Sequence, residues 1–208
     1  GEAAFVYPQP HATRSEVATI NKPLTQANII LGERGIAREN PDYYAVTVMN
    51  FILGGGGFTS RLMDSVRVKG GLAYSVGSAF SVNKAPGSFQ VIMQTKNAST
   101  ADALQKTCSE IDRMRSDVVN DEELASAKSY LTGAYALRFE SSSGIANQLL
   151  WIQIEDLGID YVGKRNALVE AVTLDDIKRV AKRLIEADRL ITTIVGKPVA
   201  AKGKEGSG

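Results

Sequence analysis

The feature that most restricts the fold is a helical segment with no polar face. From Tyr43 to Leu53 the chain reads YYAVTVMNFIL, apolar almost all the way round, so this helix belongs in an interior rather than on a surface. Its start is marked by Asn40 as the cap, Pro41 at the first helical position and Asp42, which the helix dipole favours. Four glycines, Gly54 to Gly57, stop it. A chain of 208 residues is long enough to enclose such a helix in one domain without disulfides or metal.

The flanking segments show which partners the buried helix has. Val17 to Leu31 is β-branched and apolar around Lys22-Pro23 and reads as an extended strand, the proline marking an edge or an irregular entry. After the glycines, Thr59 or Ser60 is placed to cap a second helix that runs to about Lys69 and closes at Gly70-Gly71. Phe58, Leu62, Met63 and Val66 form its apolar stripe, with Arg61 and Arg67 on opposite flanks. From Tyr74 the period switches to two: Tyr74, Val76, Phe80 and Val82 share one parity, and a second strand from Phe89 to about Thr95 completes a hairpin.

Beyond Lys96 the chain is helical for a long stretch. Capping-box spacings mark its starts at Ser99 with Asp102, Asn120 with Glu123, and Thr173 with Asp176. Ile145, Leu149 and Ile152 set the apolar face of another helix that ends near Gly158. The run from Leu190 to Val195 is β-branched, closes at Gly196, and returns to the sheet. This order predicts an α+β fold, a mostly antiparallel sheet covered on one face by several helices. Residues 17–198 read as one domain, 1–16 as an extension or linker, and the polar, glycine-rich 199–208 as a disordered tail. The first residue is Gly1 and no signal-like segment follows, which suits a processed product or an excerpt and leaves the compartment unread.

Composition removes several functions. A net charge of +1 provides no basic field for nucleic acid, and no apolar run approaches the roughly 18 residues of a membrane span. The chain holds one histidine, His11, and one cysteine, Cys108, so it cannot build an ordinary protein-ligated catalytic zinc site by itself. His11 lies in a polar, proline-flanked segment and is expected in solvent, and Cys108 reads as a small packing residue within a helix. Ser60 and Ser141 to Ser143 offer hydroxyls without a histidine base, which disfavours a serine triad. The glycine run lacks the lysine of a phosphate loop and follows a helix, so a helix-to-helix turn needing positive φ is the better reading. The acidic residues fall mainly on helix starts and faces, as caps and solvated surface do.

What remains is RVKGGLAY, Arg67 to Tyr74, with an arginine at a helix end and a tyrosine at the next strand's start. A guanidinium fork and a phenol are suited to gripping a peptide carbonyl and stabilising negative charge on its oxygen. Periodicity alone favours a structural role, Arg67 offsetting the helix dipole and Tyr74 sharing the core-facing parity. It also gives Arg61 an equal claim.

The stretch from Pro41 to Phe80, with LGGGGFTSRL and GLAYSV, resembles the C-terminal half of the insulinase/pitrilysin family of zinc metallopeptidases, and Ala171 to Pro198 resembles the closing helix and strand of the same domain. The likeness runs from about Ile20 to Pro198. It implies a mitochondrial processing peptidase-like domain and a clam-like enzyme of two homologous halves. In that family one half holds zinc on an inverted HxxEH motif plus a distal glutamate; the other contributes an arginine and a tyrosine seven positions apart, matched here by Arg67 and Tyr74. The resemblance therefore selects Arg67 over Arg61 for binding the substrate carbonyl and oxyanion. No HxxEH occurs in this chain. No metal or other cofactor is expected in it, and zinc is expected on a partner half, in the same polypeptide or a separate subunit, with a peptide as substrate. Pairing of two copies of the isolated domain is the alternative arrangement. A catalytically inactive structural subunit of the same fold is the alternative function.

Overall fold

The computed structural model describes residues 15–117 and 119–198. His11 and the segment 199–208 lie outside the described residues. Five strands form one sheet: β1 (Val17–Asn21), β2 (Gln26–Arg34), β3 (Ala73–Ser81), β4 (Ser88–Lys96) and β5 (Ile191–Gly196), in the order β1-β5-β2-β4-β3. The single strand expected from Val17 to Leu31 is two strands. Proline has no N–H for a ladder, and around Pro23 the chain breaks into a tight turn in which the Leu24 N–H donates to the Lys22 carbonyl. The two pieces then lie on either side of β5, β1 parallel to it and β2 antiparallel. All other pairings are antiparallel, and β3 and β4 form the expected hairpin.

One face of the sheet is covered. Ala27, Ile29 and Leu31 of β2 and Phe89, Val91 and Met93 of β4 are buried, while Ile30 and Ile92, which point the other way, are exposed. The cover consists of helices α1 (Tyr43–Asn50), α2 (Thr100–Ser116), α3 (Asp121–Ala136), α4 (Ser142–Ile154), α5 (Tyr161–Glu170) and α6 (Leu174–Leu184). Ala45, Val46, Val48 and Met49 of α1 are buried, as an all-apolar helix requires. Its start differs from expectation. Asp42 occupies the N-cap, and the Asn40 side chain instead accepts the Asp42 N–H, stabilising the turn before the helix. Asp42 is itself buried because Arg179 and Arg183 of α6 close on its two carboxylate oxygens, pinning α6 to the start of α1.

Beyond Asn50 the helix widens into a π-turn, Phe51–Gly55. Gly54 lies hard against β3: a Cβ there would stand 2.5 Å from the Ser78 nitrogen. Only a residue without a side chain permits that approach. The Asn50 side chain then completes the seam, its amide donating to the Ser78 carbonyl and accepting the Ser78 hydroxyl. Of the four glycines only Gly57 has a positive φ, +58°, at the start of a short 3₁₀ turn, Gly57–Thr59.

Three other expectations need correction. Neither Thr59 nor Ser60 caps the next helix; their hydroxyls donate backwards to the carbonyls of Gly56 and Gly57 and brace the 3₁₀ turn. The capping boxes at Asn120 with Glu123 and at Thr173 with Asp176 form, but Ser99 makes no cap bond, because a 3₁₀ turn precedes α2 there. In α4, Ile145 and Leu149 are exposed; the helix turns Gln148 and Ile152 inward. It packs on a small second core of Tyr135, Ile152 and Tyr161, and this core is joined to the main body by Arg38. The Arg38 guanidinium, buried, stands 3.7 Å from the centre of the Tyr43 ring and donates to the Tyr161 hydroxyl at 3.2 Å.

Candidate functional site

The helix that carries both candidate arginines is unusual from its first turn. Arg61 and Leu62 are α-helical, and Met63–Lys69 is a π-helix. It ends in a closing pair of bonds widened to match, Gly71 N–H to the Arg67 carbonyl and Leu72 N–H to the Val66 carbonyl. Leu62 and Val66 anchor the helix in the core.

The structure separates the two arginines. Arg61 donates through Nε and Nη2 to both oxygens of Glu123, each at 2.7 Å, in a fork-to-fork pair. Glu123 is also the reciprocal partner in the α3 capping box, and the Arg61 guanidinium holds its carboxyl below the usual range. Arg61 is therefore a tie between this helix and α3. A second tie lies beside it: the Ser65 hydroxyl donates at 2.8 Å to Glu110 of α2, a carboxylate only 1% exposed that also accepts from Arg113. Both ties border a cleft of about 560 Å³ that also contains Lys69. The cations in it are matched by carboxylates, Lys69 by Asp64 at 2.6 Å among them, so the cleft is a framework of ion pairs and contains neither Arg67 nor Tyr74.

Arg67 is held differently. Among the described residues it has no carboxylate partner; its guanidinium carbon stands 5.0 Å from the centre of the Phe58 ring and its Nη1 lies 3.8 Å from the Met63 sulfur. Most of its donor capacity is unspent.

Tyr74 departs from the alternation that would bury it. Val76 and Ser78 are buried and Phe80 is half-buried, yet Tyr74, of the same parity, is 45% exposed. The cause is a β-bulge. Ala73 pairs with Thr95 and Ser75 with Gln94, which leaves Tyr74 as the extra residue. Thr95, fully buried opposite the bulge, donates its hydroxyl to the Leu72 carbonyl and braces the turn that leads into it. Arg67 thus leaves the last turn of the π-helix and Tyr74 the first residues of β3, two elements packed against each other. Periodicity alone does not reveal this bulge, since an extra residue inverts the alternation only beyond itself, and a single strand residue, Ala73, lies beyond Tyr74 to show it.

The remaining candidates have structural partners. Ser141 caps α4 by accepting the Gly144 N–H at 3.0 Å. Burial pushes the Cys108 thiol up, with Asp112 and Asp188 adding to the effect, so it is not an activated nucleophile. Among the described residues no group of three or more His, Cys, Asp or Glu side chains is placed to hold a metal ion, and the sequence has one histidine. The residues present do not fit a zinc site.

Comparison with known proteins shows what this chain is similar to. Residues 2–131 match the peptidase M16 inactive domain. An uncharacterized zinc protease of Streptomyces coelicolor is 32% identical over 172 residues, covering 81% of this chain and 37% of that protein. The uncharacterized zinc protease YmxG of Bacillus subtilis is 29% identical, over 86% of this chain and 44% of its own length. The crystal structure of a peptidase M16 inactive domain from Pseudomonas fluorescens superimposes with a TM-score of 0.87 at 30% identity, covering 97% of this chain and 48% of that one. A protease from Helicobacter pylori shares the fold, with a TM-score of 0.81 at 18% identity over 94% of this chain and 48% of its own. The chain spans less than half the length of each of these relatives. No helix among the described residues is long and apolar enough to cross a membrane. The chain belongs to the peptidase M16 family, the insulinase/pitrilysin type of zinc metallopeptidase, as its inactive C-terminal domain.

Proposed function

We propose that this chain is the substrate-binding half of a two-part zinc endopeptidase, in which Arg67 and Tyr74 grip the carbonyl of the scissile peptide bond and stabilise the negative charge that develops on its oxygen. The observation that carries the reading is the contrast between neighbours: a bulge exposes Tyr74 where its parity would bury it, and Arg67 has no carboxylate partner among the described residues where Arg61 is forked onto Glu123. A phenol O–H and a guanidinium N–H aimed at one oxygen are worth most where charge appears during the reaction. The metal and its activated water belong, on this reading, to an HxxEH-bearing partner half, either in the same polypeptide or on a second subunit.

The reading is tested in the assembly of the two halves with an unstructured peptide as substrate. Tyr74→Phe removes one hydroxyl and is expected to lower kcat by a factor of roughly 10² to 10³, as loss of an oxyanion donor does elsewhere. The isolated chain is expected to bind no stoichiometric zinc and to cleave nothing. Wild-type turnover by Tyr74→Phe would remove the proposed role and leave the alternative, a structural subunit of the same fold.

A further inference from the structure

Phe58 has 70% of its surface exposed; a single exposed apolar side chain is ordinary, and what sets this one apart is the turn that carries it and the side chain beside it. Its backbone is not left loose: Gly57 turns with φ +58°, and the Thr59 and Ser60 hydroxyls brace the 3₁₀ turn that carries it, at 2.9 and 2.7 Å. A rigid turn therefore presents an aromatic ring to the surface, and the side chain over that ring is Arg67, whose guanidinium carbon is 5.0 Å from the ring centre.

We propose that Phe58 is a positioning residue for Arg67: its ring, with the Met63 sulfur that accepts from Nη1, orients the guanidinium while leaving the remaining N–H donors available to a substrate. The chemistry differs from that of the neighbouring arginines in a way that matters. A carboxylate holds an arginine by consuming its donors, as Glu123 consumes Nε and Nη2 of Arg61. An aromatic face holds it through the ring quadrupole and consumes none. Arg38 is also held by aromatic rings, but it is buried and already donates to the Tyr161 hydroxyl, so no external ligand reaches it. Of these three, only Arg67 combines an aromatic platform with partial exposure. Preorganisation of this kind lowers the cost of orienting the donor at the moment charge develops.

The inference rests on the proposed role of Arg67, and its test has an arm that does not. In the isolated chain, NMR of the arginine side chains should show the Arg67 δ-methylene and Nε–H signals shifted upfield by the ring, with the shift lost in Phe58→Leu and kept in Phe58→Trp. In the two-half assembly Phe58→Leu should lower kcat about two- to fivefold at nearly constant KM, the range an exposed cation–π contact supports, and Phe58→Trp should restore it. Because Phe58 is exposed, neither variant should change the melting temperature by more than a degree or two. Equal activity of the leucine and tryptophan variants, or no ring shift in the wild-type chain, would overturn the positioning role. A rise in KM with altered peptide preference would overturn it too, marking Phe58 as a substrate subsite. If Arg67→Ala is itself silent while the ring shift is present, the functional reading fails and the geometry of the pair stands.

Discussion

Two ends of one helical segment, Arg61 to Lys69, are bonded in opposite ways. At the N-terminal end Arg61 and Ser65 are locked to Glu123 and Glu110 by short, buried or half-buried bonds that fasten the helix to α3 and α2. At the C-terminal end Arg67, half-buried, lies against an exposed ring, and the chain leaves through a widened cap into a bulge that lifts Tyr74 out of the sheet's alternation. The rigid end gives the open end a fixed base. A side chain forked onto a carboxylate holds structure, and one with unspent donors on a rigid frame is, in the proposed function, the one available to a substrate.

This contrast can be broken from the rigid side first. Gly54→Ala places a methyl group 2.5 Å from the Ser78 nitrogen and 2.8 Å from the Leu62 side chain, so β3 must move away from the π-turn. A loss of about 3 kcal/mol is expected from such overpacking, read by chemical denaturation of the chain. Activity of the assembly should also fall, since β3 carries Tyr74. A wild-type denaturation midpoint would show that the seam is looser than the geometry indicates.

Glu123→Ala should follow, with about 2 kcal/mol lost and the melting temperature lowered by roughly 4–8 °C, because it leaves Arg61 unpaired and opens the capping box of α3. The pH dependence has a definite sign. The folded carboxyl titrates below its unfolded value, so its contribution is fully present above the ordinary glutamate range and is lost as the pH falls below about 4.3 toward the folded value. The stability gap between wild type and Glu123→Gln should therefore be widest near neutrality and narrow in acid. A gap that is constant with pH would mean that the ion pair contributes nothing.

Much of this was legible in the sequence, for identifiable reasons. The all-apolar run to Leu53, the hairpin from Tyr74 and two of the three capping boxes depend on local periodicity and local bonds, and each is found. The features that shape the candidate site are non-local. The bulge at Tyr74 depends on the register with Thr95 and Gln94, and the fate of Arg61 depends on Glu123, which is distant in sequence. The exposed face of α4 was misassigned because Ile145 and Leu149 fit a stripe with Ile152, while the residues turned inward include the polar Gln148. The choice between Arg61 and Arg67 comes from family resemblance, and in the proposed function it is joined by the observation that Arg61 is paired with Glu123 while Arg67 has no carboxylate partner among the described residues.

The central claim is that these two arginines divide labour, and the most direct test measures both properties on both variants. Arg61→Ala and Arg67→Ala, each in the two-half assembly, are compared for melting temperature and for kcat/KM at a temperature where both are folded. The expected result is a lowered melting temperature with a modest loss of kcat/KM for Arg61→Ala. For Arg67→Ala the melting temperature should be unchanged to within about 0.5 kcal/mol of stability, and kcat/KM should fall by roughly 10² or more. A stability loss confined to Arg67→Ala, with turnover lost only in Arg61→Ala, would contradict the account.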